Sequence, residues 1–188
     1  MRKLNFNFLK KNIKCVNFKL LIAVISDSHD HRDNILKAVS IINEKNVEAL
    51  IHCGDLVSPF VIKWFDKLNN SIKNQFFSVF GNNDGERLYL TVLLGRICVF
   101  PKNGNEHIME LGGKRIYASH MPKKETIDAL ANSGMFDIIL SGHTHIMVNR
   151  KHKGVLILNP GELCGYLTDK PTFAIIDTET MEAEIIEL

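Results

Sequence analysis

The sequence is poor in the features that mark several large protein classes. It has one tryptophan, five prolines and four cysteines in 188 residues. None of the cysteines, Cys15, Cys53, Cys98 and Cys164, forms a C-x-x-C pair. A zinc knuckle and a thioredoxin-like redox motif are therefore unsupported, and the expectation is free thiols in a reducing, cytoplasmic setting. No apolar run approaches the roughly 18 residues that a membrane span needs. Low-complexity tracts and short internal repeats are absent. A formal net charge of only +2 gives no electrostatic basis for a dedicated nucleic-acid binder.

What is present reads as one globular domain. Hydrophobic residues make up 45% and charged residues 23%, a balance that excludes disorder and lets a chain of this length fold without disulfides or a structural metal. The charge is uneven. Arg2, Lys3, Lys10, Lys11, Lys14 and Lys19 fall in the first 19 residues, which contain no acid. Leu20–Ile25 is a short apolar run with no A-x-A cleavage site, and it leads directly into Ser26-Asp27-Ser28-His29, so it reads as a buried strand rather than a signal sequence. Residues 1–18 are expected to form a basic extension, either an added edge strand or tail, or a segment that touches an anionic surface or a partner chain. Residues 19–188 are expected to form a single domain.

Along that domain apolar runs alternate with helical periodicity. Asp33 reads as the N-cap of a helix reaching about Asn46, with Ile35, Ala38, Val39 and Ile42 on one stripe. Val47–His52 and Gln75–Phe80 read as strands, and Ser58-Pro59 as a helix start. Phe60, Val61, Trp64, Phe65 and Leu68 read as the core face of that helix. Further on, Gly112-Gly113 marks a hairpin between Glu106–Leu111 and Lys114–Ser119, and a helix near Lys123–Ser133 ends at Gly134. Asp137–Leu140 and Val155–Leu158 are strands, and Thr172–Asp177 with Glu182–Glu187 forms a closing hairpin. A parallel half followed by a more antiparallel half implies two mixed sheets packed face to face, with helices outside.

The chemistry sits at the strand ends. The first strand ends in Asp27-x-His29, the second in Asp55, the third in Asn82, the hairpin strand in His120 and a later strand in His143-x-His145. Ligands in α/β sheets gather at the carboxyl ends of strands. Imidazole, carboxylate and amide oxygen together suit Mn²⁺, Fe²⁺, Ni²⁺ or Zn²⁺. Seven donors exceed one tetrahedral ion, whereas two ions sharing a carboxylate use them all. With no thiolate in the set, a structural zinc site is excluded.

In this order, Asp27-Ser-His29, Gly54-Asp55, Gly81-Asn82-Asn83-Asp84, Ser119-His120, Gly142-His143-Thr-His145 and Asn159-Pro-Gly161 resemble the calcineurin-like metallophosphoesterases, in particular the small YfcE-like phosphodiesterase branch to which the retromer scaffold subunit is related. The resemblance covers about residues 20–188. It implies a four-layer α/β/β/α sandwich and a phosphoric diester hydrolase with two divalent metals, Mn or Ni favoured. It implies that Asp27, His29 and His145 hold one metal and Asn82, His120 and His143 the other, with Asp55 and a water or hydroxide bridging them. Asn83, Asp84 and His120 would be the catalytic set. Such a centre keeps about one positive charge, which attracts a phosphodiester monoanion. Small diesters are the implied substrates, cyclic nucleotides among them, and a homodimer or larger homo-oligomer is expected. The alternative is a scaffold of the retromer-subunit type with weak or no catalysis.

The sequence departs from the family pattern at Asn83, where many members carry a histidine that protonates the leaving group. An amide donates a hydrogen bond but delivers no proton near neutral pH. A slow enzyme, or one that needs good leaving groups, is therefore expected. Asp84 would anchor its loop or orient His120 or Asn83. His31 is an alternative acid or simply a helix-start residue, His52 is packing or support, and His107 and His152 are surface residues. Glu162 stands where serine is frequent, after a turn read as structural.

Overall fold

The computed structural model describes residues 19–102 and 104–188. The basic extension, with the edge strand or partner contact expected of it, lies outside the described residues. In chain order the elements are β1 (Leu21–Ile25), α1 (Arg32–Glu44), β2 (Ala49–His52), α2 (Ile62–Phe65), α3 (Asn70–Lys73), β3 (Phe76–Ser78), α4 (Arg87–Leu94), β4 (Glu106–Leu111), β5 (Lys114–Ser119), α5 (Lys124–Asn132), β6 (Ile138–Leu140), β7 (Val148–His152), β8 (Val155–Asn159), β9 (Thr172–Asp177) and β10 (Glu182–Glu187). No helix among the described residues is long and apolar enough to cross a membrane.

Two five-stranded mixed sheets result, ordered β10-β9-β1-β2-β3 and β4-β5-β6-β8-β7. The strands β1, β2 and β3 pair parallel, as do β5, β6 and β8. Three apolar layers separate four layers of structure. Ile35, Ala38, Val39 and Ile42 of α1 pack on the outer face of the first sheet with Leu50 and Phe76. Ile22, Val24 and Ile51 meet Ile116, Ile138 and Leu156 between the sheets. Ala131 and Ile127 of α5 cover the outer face of the second sheet against Tyr117, Ile139 and Ile157. Strand alternation explains the division, because neighbours such as Ala23 and Val24 point to opposite faces. The α/β/β/α sandwich is therefore present.

Several local expectations are corrected. The N-cap of α1 is His31, whose Nδ1 accepts from the Asn34 amide, and not Asp33, which lies inside the first turn. The expected parallel half, β1 to β3, and the more antiparallel half after it are present along the chain, although they do not divide between the sheets. Both sheets are mixed, and the C-terminal hairpin returns to the first, where β9 pairs antiparallel with β1. Ser58 does cap the next turn, accepting from the Phe60 amide with Pro59 following, but Phe60 itself is 64% exposed while Val61, Phe65 and Leu68 are buried. Helix α4 and edge strand β7 had no legible pattern. Apolar Leu88, Tyr89 and Val92 face outward on α4, and Val-Asn-Arg-Lys-His gives β7 no alternation.

Candidate metal centre

The parallel strands of the two sheets bring their carboxyl ends to one rim. All seven expected donors meet there, although they come from segments more than 100 residues apart. The backbone at five of them, Asp27, His29, Asp55, His143 and His145, has φ between 40° and 66°. Non-glycine residues in this left-handed region cost about 1–3 kcal/mol each, a strain that clusters at functional sites. The turns that follow the strands use it to fold the side chains back over the sheet ends.

One group centres on Asp27. Its Oδ2 accepts from Ser26 Oγ at 2.6 Å and from the His143 amide at 3.1 Å. Among the described residues its buried Oδ1 has no hydrogen-bond partner and faces His145 Nε2 at 3.3 Å and His29 Nε2 at 3.9 Å. His29 Nε2 is likewise buried without a hydrogen-bond partner. His145 Nδ1 sits 2.7 Å from Glu162 Oε2, so it carries the proton and turns the Nε2 lone pair inward.

The second group centres on Asn82. Its Oδ1 lies 3.0 Å from His120 Nε2 and 2.8 Å from His143 Nδ1. His120 Nδ1 donates to the Cys53 carbonyl at 2.8 Å, so its Nε2 also presents a lone pair. Asp55 joins the groups, since its Oδ2 lies 3.5 Å from His29 Nε2 and 3.4 Å from His120 Nε2. The same carboxylate accepts from the Asn83 amide at Oδ1 and from Asn83 Nδ2 at Oδ2, both at 2.8 Å. Lone pairs thus converge on two adjacent points with no proton between several of them. Cations satisfy that arrangement, so these residues fit two metal ions that share Asp55.

The titration behaviour follows from the same contacts. Burial pushes the Asp27 carboxyl up, against the Ser26 hydrogen bond and the nearby His120 and His145. Burial also works to raise Asp55, but the adjacent His120 imidazole and the hydrogen bonds from Asn83 hold it well below the usual carboxylate range. His120 is moved up because Asp55 and Asp27 outweigh its burial.

The bystanders separate clearly. Asp84 is buried, and its carboxylate accepts from the backbone amides of Asp55 at 3.1 Å, Gly81 at 2.7 Å and Val57 at 2.6 Å. It therefore ties down the two loops that carry Asp55 and Asn82. His31 spends Nδ1 on the helix cap and lies 5.4 Å, ring to ring, from the exposed Tyr166. His52 is wholly buried. Its Nδ1 accepts from the Gly54 amide and its Nε2 lies 2.9 Å from Ser28 Oγ, and burial drives its pKa down to about 3. His107 and His152 bond to Val99 O and Asn132 Oδ1 and take no part in the cluster.

Two residues at the centre escaped the sequence reading. In the sequence Glu162 reads only as a substitution in a structural turn. It is fully buried and accepts from His145, the Leu167 and Thr168 amides, Thr168 Oγ1 and the Cys164 thiol. Burial opposes its charge, yet these bonds bring its pKa down to about 2. Cys164 Sγ clusters with ligand atoms of His29 and His145, so a sulfur does stand beside the donor set. Burial pushes that thiol up to about 12, and it serves as a donor to Glu162 at 3.1 Å. The only sequence signal was an acid shortly after Asn159-Pro-Gly161, whose Asn159 side chain bonds to the Gly142 carbonyl.

Comparison with known proteins agrees with this geometry. The calcineurin-like phosphoesterase superfamily domain matches residues 20–181. A phosphodiesterase of Methanocaldococcus jannaschii is 42% identical over 167 residues, covering 89% of this chain and 98% of that protein. A solved structure of an archaeal phosphodiesterase superposes with a TM-score of 0.82 at 40% identity, over 90% of this chain and 100% of that one. Vacuolar protein sorting 29 from Cryptosporidium parvum shares the fold, with a TM-score of 0.60 at 17% identity over 91% of this chain and 97% of that one.

Proposed function

The chain belongs to the calcineurin-like phosphoesterase superfamily, and from that footing we propose that it hydrolyses small phosphodiesters at a centre for two divalent cations. The observation that carries the reading is the shared oxygen, Asp55 Oδ2, poised between His29 and His120. In this reading Asp27, His29 and His145 hold one ion, Asn82, His120 and His143 hold the other, and Asp55 serves both. The bound pair would lower the pKa of a water from about 15.7 towards about 7 and neutralise the phosphoryl oxygens.

The chain's own residues supply the rest. Ser26 and the His143 amide occupy one oxygen of Asp27 and leave the other for the centre. Neutral Asn82 in place of a third carboxylate preserves positive charge for an anionic diester. Asp84 is a positioning residue that fixes the loops of Asp55 and Asn82. Asn83 stands at the edge with an amide that donates a hydrogen bond, so no proton is handed to the leaving oxygen there. Leaving-group basicity should therefore govern the rate, and aryl diesters should outrun alkyl ones. Nucleotide diesters, the class to which the cyclic nucleotides belong, are candidate natural substrates. The mix of imidazole, carboxylate and amide donors favours Mn²⁺ or Ni²⁺. The buried free thiols Cys53, Cys98 and Cys164 suit a reducing, cytoplasmic compartment.

The test is hydrolysis of bis(p-nitrophenyl) phosphate with added Mn²⁺ or Ni²⁺. Turnover that depends on metal is expected. Metal bound at two equivalents without turnover would leave the scaffold reading instead. That reading has less support, because a scaffold gains nothing from five donors on strained backbone.

A further inference from the structure

The loop that carries Asn82 and Asn83 separates two cavities. Beyond Asn82 and His120 lies one of about 710 Å³, walled by Phe80 and Arg87 on one side and by Ile108 and Met121 from the second sheet. Beyond Asn83 lies another of about 430 Å³, walled by Pro59, Phe60 and Tyr89. A phosphodiester has two ester arms, and these cavities lie on either side of the loop that carries Asn82 and Asn83, beside the donor cluster.

Their chemistry differs. In the larger cavity the Arg87 guanidinium is held by the Gly81 and Asp84 carbonyls and by Asn105 Oδ1, with its carbon 5.2 Å from the Phe80 ring centre. Among the described residues it enters no ion pair. Glu106, which accepts from Tyr117 at 2.8 Å, lines the same cavity and opposes a second phosphate there. A fixed planar donor, a carboxylate acceptor and apolar walls together suit a flat heterocycle, and the volume is ample for a nucleoside. The smaller cavity offers Phe60 at 64% and Tyr89 at 52% exposure, and Glu86, its only charged lining residue among the described residues, disfavours an anionic arm.

We propose that the larger cavity seats a nucleoside arm and the smaller one a flat apolar arm, which makes the preferred substrate an asymmetric nucleoside diester. The assignment rests on the diesterase reading above. It also explains why a diester should be preferred to a monoester, since a monoester leaves one cavity unfilled.

The experiment compares thymidine 5′-(p-nitrophenyl phosphate) with ethyl p-nitrophenyl phosphate, which share a leaving group and differ in the other arm. With Mn²⁺ the nucleoside diester should show a kcat/KM roughly tenfold higher, on the order of one base-stacking contact. Ile108→Glu, at an exposed wall position, and Arg87→Ala should each collapse that ratio. Phe60→Ser combined with Tyr89→Ser should raise KM for both substrates by a similar factor and keep the ratio. Equal kcat/KM for the two diesters in the unmodified protein overturns the proposal. So does a ratio that survives both Ile108→Glu and Arg87→Ala, or one that falls in the Phe60/Tyr89 variant. Bis(p-nitrophenyl) phosphate separates the two readings. If it is not hydrolysed, the diesterase reading falls. If it is hydrolysed without a nucleoside advantage, only the arm assignment falls.

Discussion

Glu162 Oε2 lies 2.7 Å from His145 Nδ1, and this bond sets which nitrogen of His145 faces Asp27. A carboxylate behind a metal-facing imidazole fixes the tautomer and makes the imidazole a stronger donor. Five further bonds to Glu162, from Cys164, Leu167 and Thr168, keep that carboxylate from turning away.

Glu162→Gln should therefore weaken binding of the ion proposed at His145 by about 10–100-fold. Titration with Mn²⁺ followed by electron paramagnetic resonance should show one weakened site and one nearly unchanged. Equal weakening of both sites would mean that Glu162 acts on the whole fold rather than through His145.

Asp55→Asn removes the charge of the one carboxylate placed to serve both groups of donors. Activity should fall by at least about 10²–10³-fold, the scale of losing a principal electrostatic contributor. Metal analysis should find fewer than two ions per chain. Full activity with two ions bound would exclude a bridging role.

Gly81 packs its Cα against Asp55 so closely that an added Cβ would lie 2.0 Å from Asp55 Oδ1. Gly81→Ala should displace Asp55 and cost activity comparable to Asp55→Asn, while the protein still folds. Circular dichroism with a rate assay on the same sample checks both halves of that expectation.

Removing metal should abolish turnover and lower stability, because lone pairs then face one another across the centre. Each ion supplied at 100 times its Kd should restore about 2.7 kcal/mol. Binding should also release more protons as the pH is lowered, since burial leaves the Asp27 carboxyl raised. Calorimetry in buffers of different ionisation enthalpy measures that release.

His52 gives the metal-free protein a defined pH response. The unfolded chain takes up a proton near the ordinary histidine value of 6.5, whereas the folded His52 stays neutral down to about 3. The unfolded state thus binds more protons across that window, and stability falls as pH drops through it, by at most about 1.4 kcal/mol per unit from this group. Urea unfolding of the metal-free protein at stepped pH should show a shallower fall for His52→Gln than for the unmodified chain.

The sequence by itself determined the strands of the rim and the candidate donors attached to them. Short continuous apolar runs locate Leu21–Ile25, Ala49–His52 and Ile138–Leu140, and short polar motifs directly follow them. A motif attached to a strand end travels with that strand, so its position on the rim is a local matter. Helix α4 lacked such a signal because exposed Leu88, Tyr89 and Val92 mask the stripe of buried Leu90 and Leu94, and strand β7 because it lies at a sheet edge. Only the tertiary structure decided which nitrogen each histidine turns inward, that Glu162 stands behind His145, and that Asp84 ties the Asp55 loop to the Asn82 loop. Those contacts join residues that no periodicity relates. They exist because two separately wound sheets bring their parallel strand ends to one edge, where hydrogen-bond geometry rather than hydrophobic pattern selects the partners.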